Sequence, residues 1–230
     1  MATPKPVIVI IHGAFLSPPC YSKLKSSLIK AGFEAHVPQL PTLNSARPPT
    51  SSLNEDTEFI RSYVENILDQ GHNVIAIMHS YSGQVGTNAL TRMSIESRTS
   101  RGLKMGHIDL IPIVYDIAED MITVERSPRD RLLGPWDDKG EVEEFLANLK
   151  IWNGNAMYQK IERCAWRETP VAYIYTSKDT CLPLQYQESM VGKIRAEHID
   201  MKTETLATGH SPHVTMPEEL TNIVRRIAGF

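Results

Sequence analysis

Val74-Ile75-Ala76-Ile77-Met78-His79-Ser80-Tyr81-Ser82-Gly83 runs from an unbroken apolar stretch into a turn of small and polar residues. A short apolar run of this kind suits a strand buried on both faces of a parallel sheet, where every side chain meets a covering helix. The residues after it predict a sharp turn and a helix over about residues 83–92.

Moving toward the N-terminus, Gly71 closes a helix that Ser52 and Glu55 open as a capping-box pair, with Phe59, Ile60, Tyr63, Val64, Ile67 and Leu68 at 3-to-4 spacing. Before a Pro-rich stretch at 38–49, residues 33–37 read as a strand and residues 21–31 as a helix. Leu24, Leu28 and Ile29 share one face of that helix, and Gly32 ends it. Val7-Ile8-Val9-Ile10-Ile11 is a second buried-strand run, ended by His12-Gly13.

Toward the C-terminus, residues 108–115 read as a strand weakened by Asp109 and Pro112. Residues 171–176 restore the buried-strand signature, 184–194 read as a helix and 201–206 as a last strand. Thr215 and Glu218 then open a terminal helix with Leu220, Ile223, Val224 and Ile227 on its apolar face. Alternating strands and helices predict an α/β fold with a mostly parallel, doubly wound sheet. Between residues 117 and 166 charged helical pieces such as 141–150 alternate with Pro128, Gly134-Pro135 and Gly154, without a clean strand. Residues 1–116 and 167–230 therefore form the expected core, and 117–166 an inserted, mainly helical cap within a single domain.

The bulk composition restricts the function. At 230 residues with 41% hydrophobic, the chain is long enough for one full core. A net charge of −3, with 24 basic and 27 acidic residues interspersed, offers no cationic face, so neither nucleic acid nor a membrane surface is an expected partner. A small molecule is the expected ligand, and a homodimer is compatible with the chain. Cys20, Cys164 and Cys181 match neither a disulfide framework nor a metal spacing. With no export signal in the first apolar run and no stretch of roughly 18 apolar residues, a cytoplasmic protein is expected.

In open parallel sheets the ligand site lies beyond the carboxyl ends of the strands. Four segments occupy such positions: His12-Gly13-Ala14-Phe15, His79-Ser80-Tyr81, Ser177-Lys178-Asp179 and Gly209-His210. A serine at a strand-to-helix elbow can expose its hydroxyl as a nucleophile, although Met78 and Ser82 stand where the usual pattern has glycines. Read alone, Ser80 is equally an N-cap. Serine needs a base, and His210, in the loop after the last strand, is the leading candidate, with His213 the alternative. His12 and His79 read as packed structural groups, and His36, His72, His107 and His198 as surface or strand-end residues. Asp179 is placed to orient the base, with Asp116 its rival and an ordinary turn aspartate ahead of Pro183 the plainer reading. Backbone N–H groups of Ala14, Phe15 and Tyr81 stand where an oxyanion hole is needed.

The order Ser, Asp, His, with His-Gly after an early strand, resembles the α/β-hydrolase fold. More narrowly, His12-Gly13-Ala14-Phe15 with Tyr21-Ser22-Lys23-Leu24 resembles the esterase and hydroxynitrile lyase branch that includes plant methyl-ester hydrolases. Gly209-His210-Ser211-Pro212 followed by Pro217-Glu218-Glu219-Leu220 is similar to the end of many microbial members. The resemblance spans nearly the whole chain. Lyases of that branch carry a threonine and, directly after the catalytic histidine, a lysine. Here Gly13 and Ser211 stand instead, which favours hydrolysis.

The expected function is hydrolysis of an ester, thioester or lactone of a small apolar or aromatic molecule through an acyl-enzyme, with no metal or organic cofactor. Phe15, Tyr81, Tyr115, Trp136, Trp152 and Met157 are candidate pocket residues, each equally readable as core. Two other readings stay open. One is lyase, cyclase or carbon–carbon cleavage chemistry with His210 as general base. The other is a ligand receptor on the same fold.

Overall fold

The computed structural model describes residues 4–46, 48, 50–103, 108–114 and 127–230, with backbone alone for 108–114. In chain order the elements are β1 (Val7–Ile11), α1 (Ser22–Lys30), β2 (Ala35–His36), α2 (Leu53–Asp69), β3 (Val74–His79), α3 (Ser82–Ala89), α4 (Ile95–Ser100), β4 (Ile108–Val114), α5 (Lys139–Ala147), β5 (Val171–Thr176), α6 (Leu184–Ala196), β6 (Met201–Leu206), α7 (Pro212–Thr215) and α8 (Pro217–Ile227).

The six strands form one sheet in the order β2-β1-β3-β4-β5-β6, and every neighbouring pair is parallel. β1 and β3 lie side by side in register, Val7 opposite Val74 through Ile11 opposite Met78, and every residue in both is buried. That explains their uniform hydrophobicity, since in an interior strand each side chain contributes about 1.5–3 kcal/mol by leaving water. β6 lies at an edge and shows the contrast, burying only Met201 and Leu206 at its ends.

Helices cover both faces. α1 packs against α7 and α8, and α2 against α3, the two layers expected when right-handed crossovers leave β1 in opposite directions. Because β2 and β3 flank β1, the winding direction reverses between β1 and β3. Ligand crevices form at the carboxyl end of such a switch, and here that end carries the Gly13 loop and Ser80.

The capping box at α2 forms: Ser52 Oγ accepts from the Asn54 N–H, and the Glu55 carboxylate accepts from the Ser52 N–H at 2.8 Å. Ile60, Val64, Ile67 and Leu68 face the core, while Phe59 is 37% exposed. Three local expectations need correction. Ile29 is 52% exposed, because only Leu24 and Leu28 of α1 point at the sheet. The strand expected over 33–37 shortens to β2, an edge strand that pairs with β1 only at Ala35 and His36 before Pro38, which has no N–H to offer. Thr215 does not cap α8. It ends α7 and shares a 2.5 Å hydrogen bond with Thr208, while Pro217 begins α8, where its missing N–H costs nothing.

Within 127–166 the chain forms a π-helical turn at Arg129–Leu133, α5, and short 3-10 turns at Gly154–Tyr158 and Ala165–Arg167. It meets the loop after β1 directly: Leu149 bridges Leu16, and the Lys150 N–H donates to the Phe15 carbonyl at 2.8 Å. No helix among the described residues is long and apolar enough to cross a membrane.

Candidate active site

Ser80 directly follows the switch-point strand, with φ of 56°. A non-glycine residue in the left-handed region is held there by its surroundings. Its carbonyl accepts from the Gly83 N–H at 2.8 Å, closing the turn. The N-cap of α3 is Tyr81, and Ser80 Oγ instead faces His210, so the helix-cap reading of Ser80 does not describe this serine. The two missing glycines are accommodated separately. Ser82 Oγ donates to the carbonyls of Ile11 (2.6 Å) and His79 (2.9 Å), tying the elbow to β1. Met78 lies over Gly86, one turn into α3, where an added Cβ would stand 2.1 Å from the Met78 sulfur. The bulk at 78 is matched by the lack of it at 86.

Asp179 follows β5, and His210 follows β6. His210 Nε2 lies 3.1 Å from Ser80 Oγ, and its Nδ1 lies 2.9 Å from Asp179 Oδ2. Hydroxyl, imidazole and carboxylate thus form one hydrogen-bonded row, and all three residues are buried. Asp179 Oδ1 accepts from the Cys181 and Leu182 N–H groups (2.8 and 2.9 Å), and Oδ2 also accepts from Thr176 Oγ1 at 3.0 Å. Burial pulls the Asp179 pKa upward, but the His210 charge and these hydrogen bonds outweigh it, so the carboxyl stands below its ordinary range. With Nδ1 donating to Asp179, Nε2 presents its lone pair to the Ser80 hydroxyl.

Gln187, fully buried on α6, fixes the Asp179 loop. Its Oε1 accepts from the Thr176 N–H at 3.0 Å, and its Nε2 donates to the Thr176 and Leu182 carbonyls at 3.0 and 2.7 Å. Sequence reasoning missed this residue. His213, the alternative base, is fully buried and stacks on Tyr21 with centroids 4.1 Å apart. Neither of its ring nitrogens has a partner among the described residues. Asp116, the alternative acid, lies outside the described residues.

The Gly13 loop abuts the elbow: a Cβ on Gly13 would stand 3.2 Å from the Ser80 Cβ. Phe15 adopts φ of 64°. Among the described residues, no hydrogen-bond acceptor is recorded for the N–H of Phe15 or of Tyr81. His12 is packed: its Nδ1 donates to the Gly13 carbonyl (2.9 Å), its Nε2 accepts from the Leu40 N–H (2.8 Å), and burial lowers its pKa to about 4. His79 is likewise enclosed, between Tyr21 Oη and the His210 carbonyl, each at 2.7 Å.

Of the candidate pocket residues, Tyr81 is part of the elbow, and Trp152 packs edge-on to it at 4.7 Å and to Phe15 at 5.5 Å. The polar ends of these rings are engaged elsewhere. Trp152 Nε1 donates to Thr42 Oγ1 (3.0 Å) and Tyr81 Oη to Asp56 Oδ2 (2.9 Å), which also accepts from Thr42 Oγ1 at 2.6 Å. Asp56 is completely buried, and burial pushes its pKa up to about 6 against these donors. Met157 is buried, with its carbonyl 3.5 Å from Gln84 Nε2. Trp136 stands beside α1 and α5, its Nε1 donating to Glu141 at 2.7 Å and its ring 5.9 Å from Lys23 Nζ. Tyr115 lies outside the described residues. Among those residues, no group of three or more His, Cys, Asp or Glu is arranged to hold a metal ion, and Cys20, Cys164 and Cys181 are free thiols.

Comparison with known proteins agrees with this fold. A probable hydrolase, R7, from a Phoma species is 24% identical, covering 98% of this chain and 99% of its own length. The alpha/beta hydrolase nvfD from Aspergillus novofumigatus is also 24% identical, covering 98% and 97%. Among solved structures, an extracellular alpha/beta-hydrolase from a Paenibacillus species superposes with a TM-score of 0.72 at 15% identity over 96% of this chain and 98% of that one. Polyneuridine aldehyde esterase gives 0.67 at 14% identity over 98% and 100%. The profile of the alpha/beta hydrolase family matches residues 8–223, and the chain belongs to that family of enzymes.

Proposed function

We propose that the chain is a serine hydrolase that cleaves an ester, thioester or lactone bond of a small apolar or aromatic molecule through an acyl-enzyme. One observation carries the reading: Ser80, in a left-handed elbow, His210 and Asp179 stand in a single row with separations of 3.1 and 2.9 Å. In this mechanism Ser80 Oγ attacks the carbonyl as His210 Nε2 takes its proton. The imidazolium is stabilised by Asp179 and returns the proton to the leaving oxygen or sulfur. Water then repeats the sequence on the acyl-enzyme. The N–H groups of Tyr81 and of Ala14 or Phe15 receive the developing negative charge, a contribution of about 3 kcal/mol for each such donor.

An apolar or aromatic substrate is supported by the half-buried Phe15 ring beside the elbow, which packs edge-on to Trp152, and by the hydrogen bonds that turn the Trp152 indole N–H to Thr42 and the Tyr81 hydroxyl to Asp56. Within the proposed cap of 117–166, the described residues 127–166 lie over the carboxyl edge of the sheet, supported by the contacts of Leu149, Lys150 and Trp152 with the 14–16 loop.

A fluorophosphonate probe and a panel of aryl, alkyl and lactone esters test the proposal. Wild type should be labelled at Ser80 and hydrolyse part of the panel. Ser80→Ala should lose labelling and at least about a thousandfold in rate. Equal residual rates in both proteins, or folded wild type that refuses the probe, would count against it.

A further inference from the structure

The backbone N–H of Gly13 can only donate, and the carbonyl of His210 can only accept. Between them lie Tyr21 and His79, both with no exposed surface. The Gly13 N–H donates to Tyr21 Oη at 2.8 Å, Tyr21 Oη lies 2.7 Å from His79 Nδ1, and His79 Nε2 lies 2.7 Å from the His210 carbonyl. Only one proton arrangement satisfies every link. If His79 carried its proton on Nδ1, Tyr21 would accept twice while its own proton lacked an acceptor among the described residues, and Nε2 would press a lone pair against the His210 oxygen. The tyrosine hydroxyl therefore donates to Nδ1, and Nε2–H donates to His210. Burial, reinforced by the neighbouring His210, lowers the His79 pKa to about 3, which keeps this imidazole neutral at about pH 7, while the hydrogen bonds on its two sides select the tautomer.

The chain runs in one direction through three separate parts of the site. It begins one residue before the Ala14 and Phe15 amides, passes the residue that precedes Ser80, and ends on the backbone of His210. His213 holds the two rings in place, stacked on Tyr21 with planes 16° apart and edge-on to His79 at 4.7 Å.

We propose that Tyr21 and His79 are positioning residues that set the oxyanion loop and the His210 backbone in register with Ser80. This rests on the reading of Ser80, His210 and Asp179 as the catalytic row. Neither side chain exchanges a proton with substrate. Their contribution is geometric, and misplacing a reacting group by about 1 Å can cost on the order of a hundredfold in rate.

The test separates the two nitrogens of His79. Asparagine places an acceptor near the Nδ1 position, whereas glutamine places a donor near Nε2. Tyr21→Phe, His79→Asn and His79→Gln are compared with wild type for the maximal rate of Ser80 labelling by a fluorophosphonate, for the probe concentration giving half that rate, and for thermal midpoint. Tyr21→Phe, which keeps the ring on His213, should lower the maximal rate at least about tenfold while leaving the half-saturating concentration within about twofold. His79→Asn, which keeps an acceptor for Tyr21 but no donor for the His210 carbonyl, and His79→Gln, which keeps the donor but not the acceptor, should each lower the maximal rate at least about tenfold with the half-saturating concentration again within about twofold. An unchanged maximal rate in Tyr21→Phe, or in either His79 variant, would overturn the proposal. Should His79→Asn not fold, Tyr21→Phe alone decides it. Failure of wild type to label at Ser80 overturns the catalytic reading itself, an outcome distinct from labelled wild type with an indifferent Tyr21→Phe.

Discussion

Gly86→Ala is a one-methyl change in the middle of a helix, and intrinsic propensity makes it favourable by about 1 kcal/mol. The structure predicts the opposite sign. The new Cβ would stand 2.1 Å from Met78 Sδ and 2.8 Å from Met78 Cγ, with Ile11 Cδ1 at 3.5 Å. Swinging the thioether alone does not relieve the overlap, because Cγ is also too close, and Met78 is only 3% exposed. Overpacking of this kind costs about 1–3 kcal/mol, and two overlaps this deep place it at the upper end, so the variant should be less stable than wild type by about 1–2 kcal/mol once the propensity gain is offset. Strand β3 and helix α3 flank the elbow, so the strain should also displace Ser80 and slow its fluorophosphonate labelling. Met78→Ala supplies the control. In that background Gly86→Ala fills vacated space and should be neutral or stabilising, giving a coupling of about 1–3 kcal/mol in a double-mutant cycle read by urea denaturation. Additive effects, or a Gly86→Ala protein as stable and as quickly labelled as wild type, would refute the account of how the elbow tolerates methionine.

Asp56 titrates at about 6 when folded against 3.8 ordinarily, so its burial weakens the fold increasingly as pH rises from about 4 to 6 and fully above that. Relative to Asp56→Asn, wild type should lose roughly 3 kcal/mol across this window; parallel stability–pH curves for the two proteins would contradict it. Gln187→Leu strips side-chain partners from the N–H and carbonyl of Thr176 and from the Leu182 carbonyl. It should cost about 2–3 kcal/mol in a denaturant melt and slow Ser80 labelling, and an unchanged midpoint would show that the Asp179 loop stands without it.

The strands that build the site were legible because interior parallel strands need continuous apolar runs, as in Val7–Ile11 and Val171–Thr176. Ser80 and Asp179 could be named for the same reason, since each follows such a run, whereas His210 was named from its place in the Gly209-His210 loop between the last strand and the last helix. What supports them was not readable. Asp56 sits in the first turn of α2 beside Glu55, where an acidic residue is expected for the helix dipole alone, and nothing local shows that Thr42 and Tyr81 converge on it. Gln187 and Tyr21 look like ordinary helix and turn residues until tertiary contacts appear. Gly86 did leave a signal, an isolated glycine within a helix, and paired with the anomalous Met78 it could have been interpreted.

Gly134, at φ of 80°, lies against Gly209, so that a Cβ on either residue would meet the other's Cα at about 3.5 Å, and one on Gly209 would stand 3.0 Å from the Leu133 carbonyl. Two bare stretches of backbone thus touch immediately before His210. Anyone grafting the 127–166 segment of a relative onto this core to change its selectivity inherits a boundary condition: whatever side chains the transplant brings, it must arrive at position 134 with none.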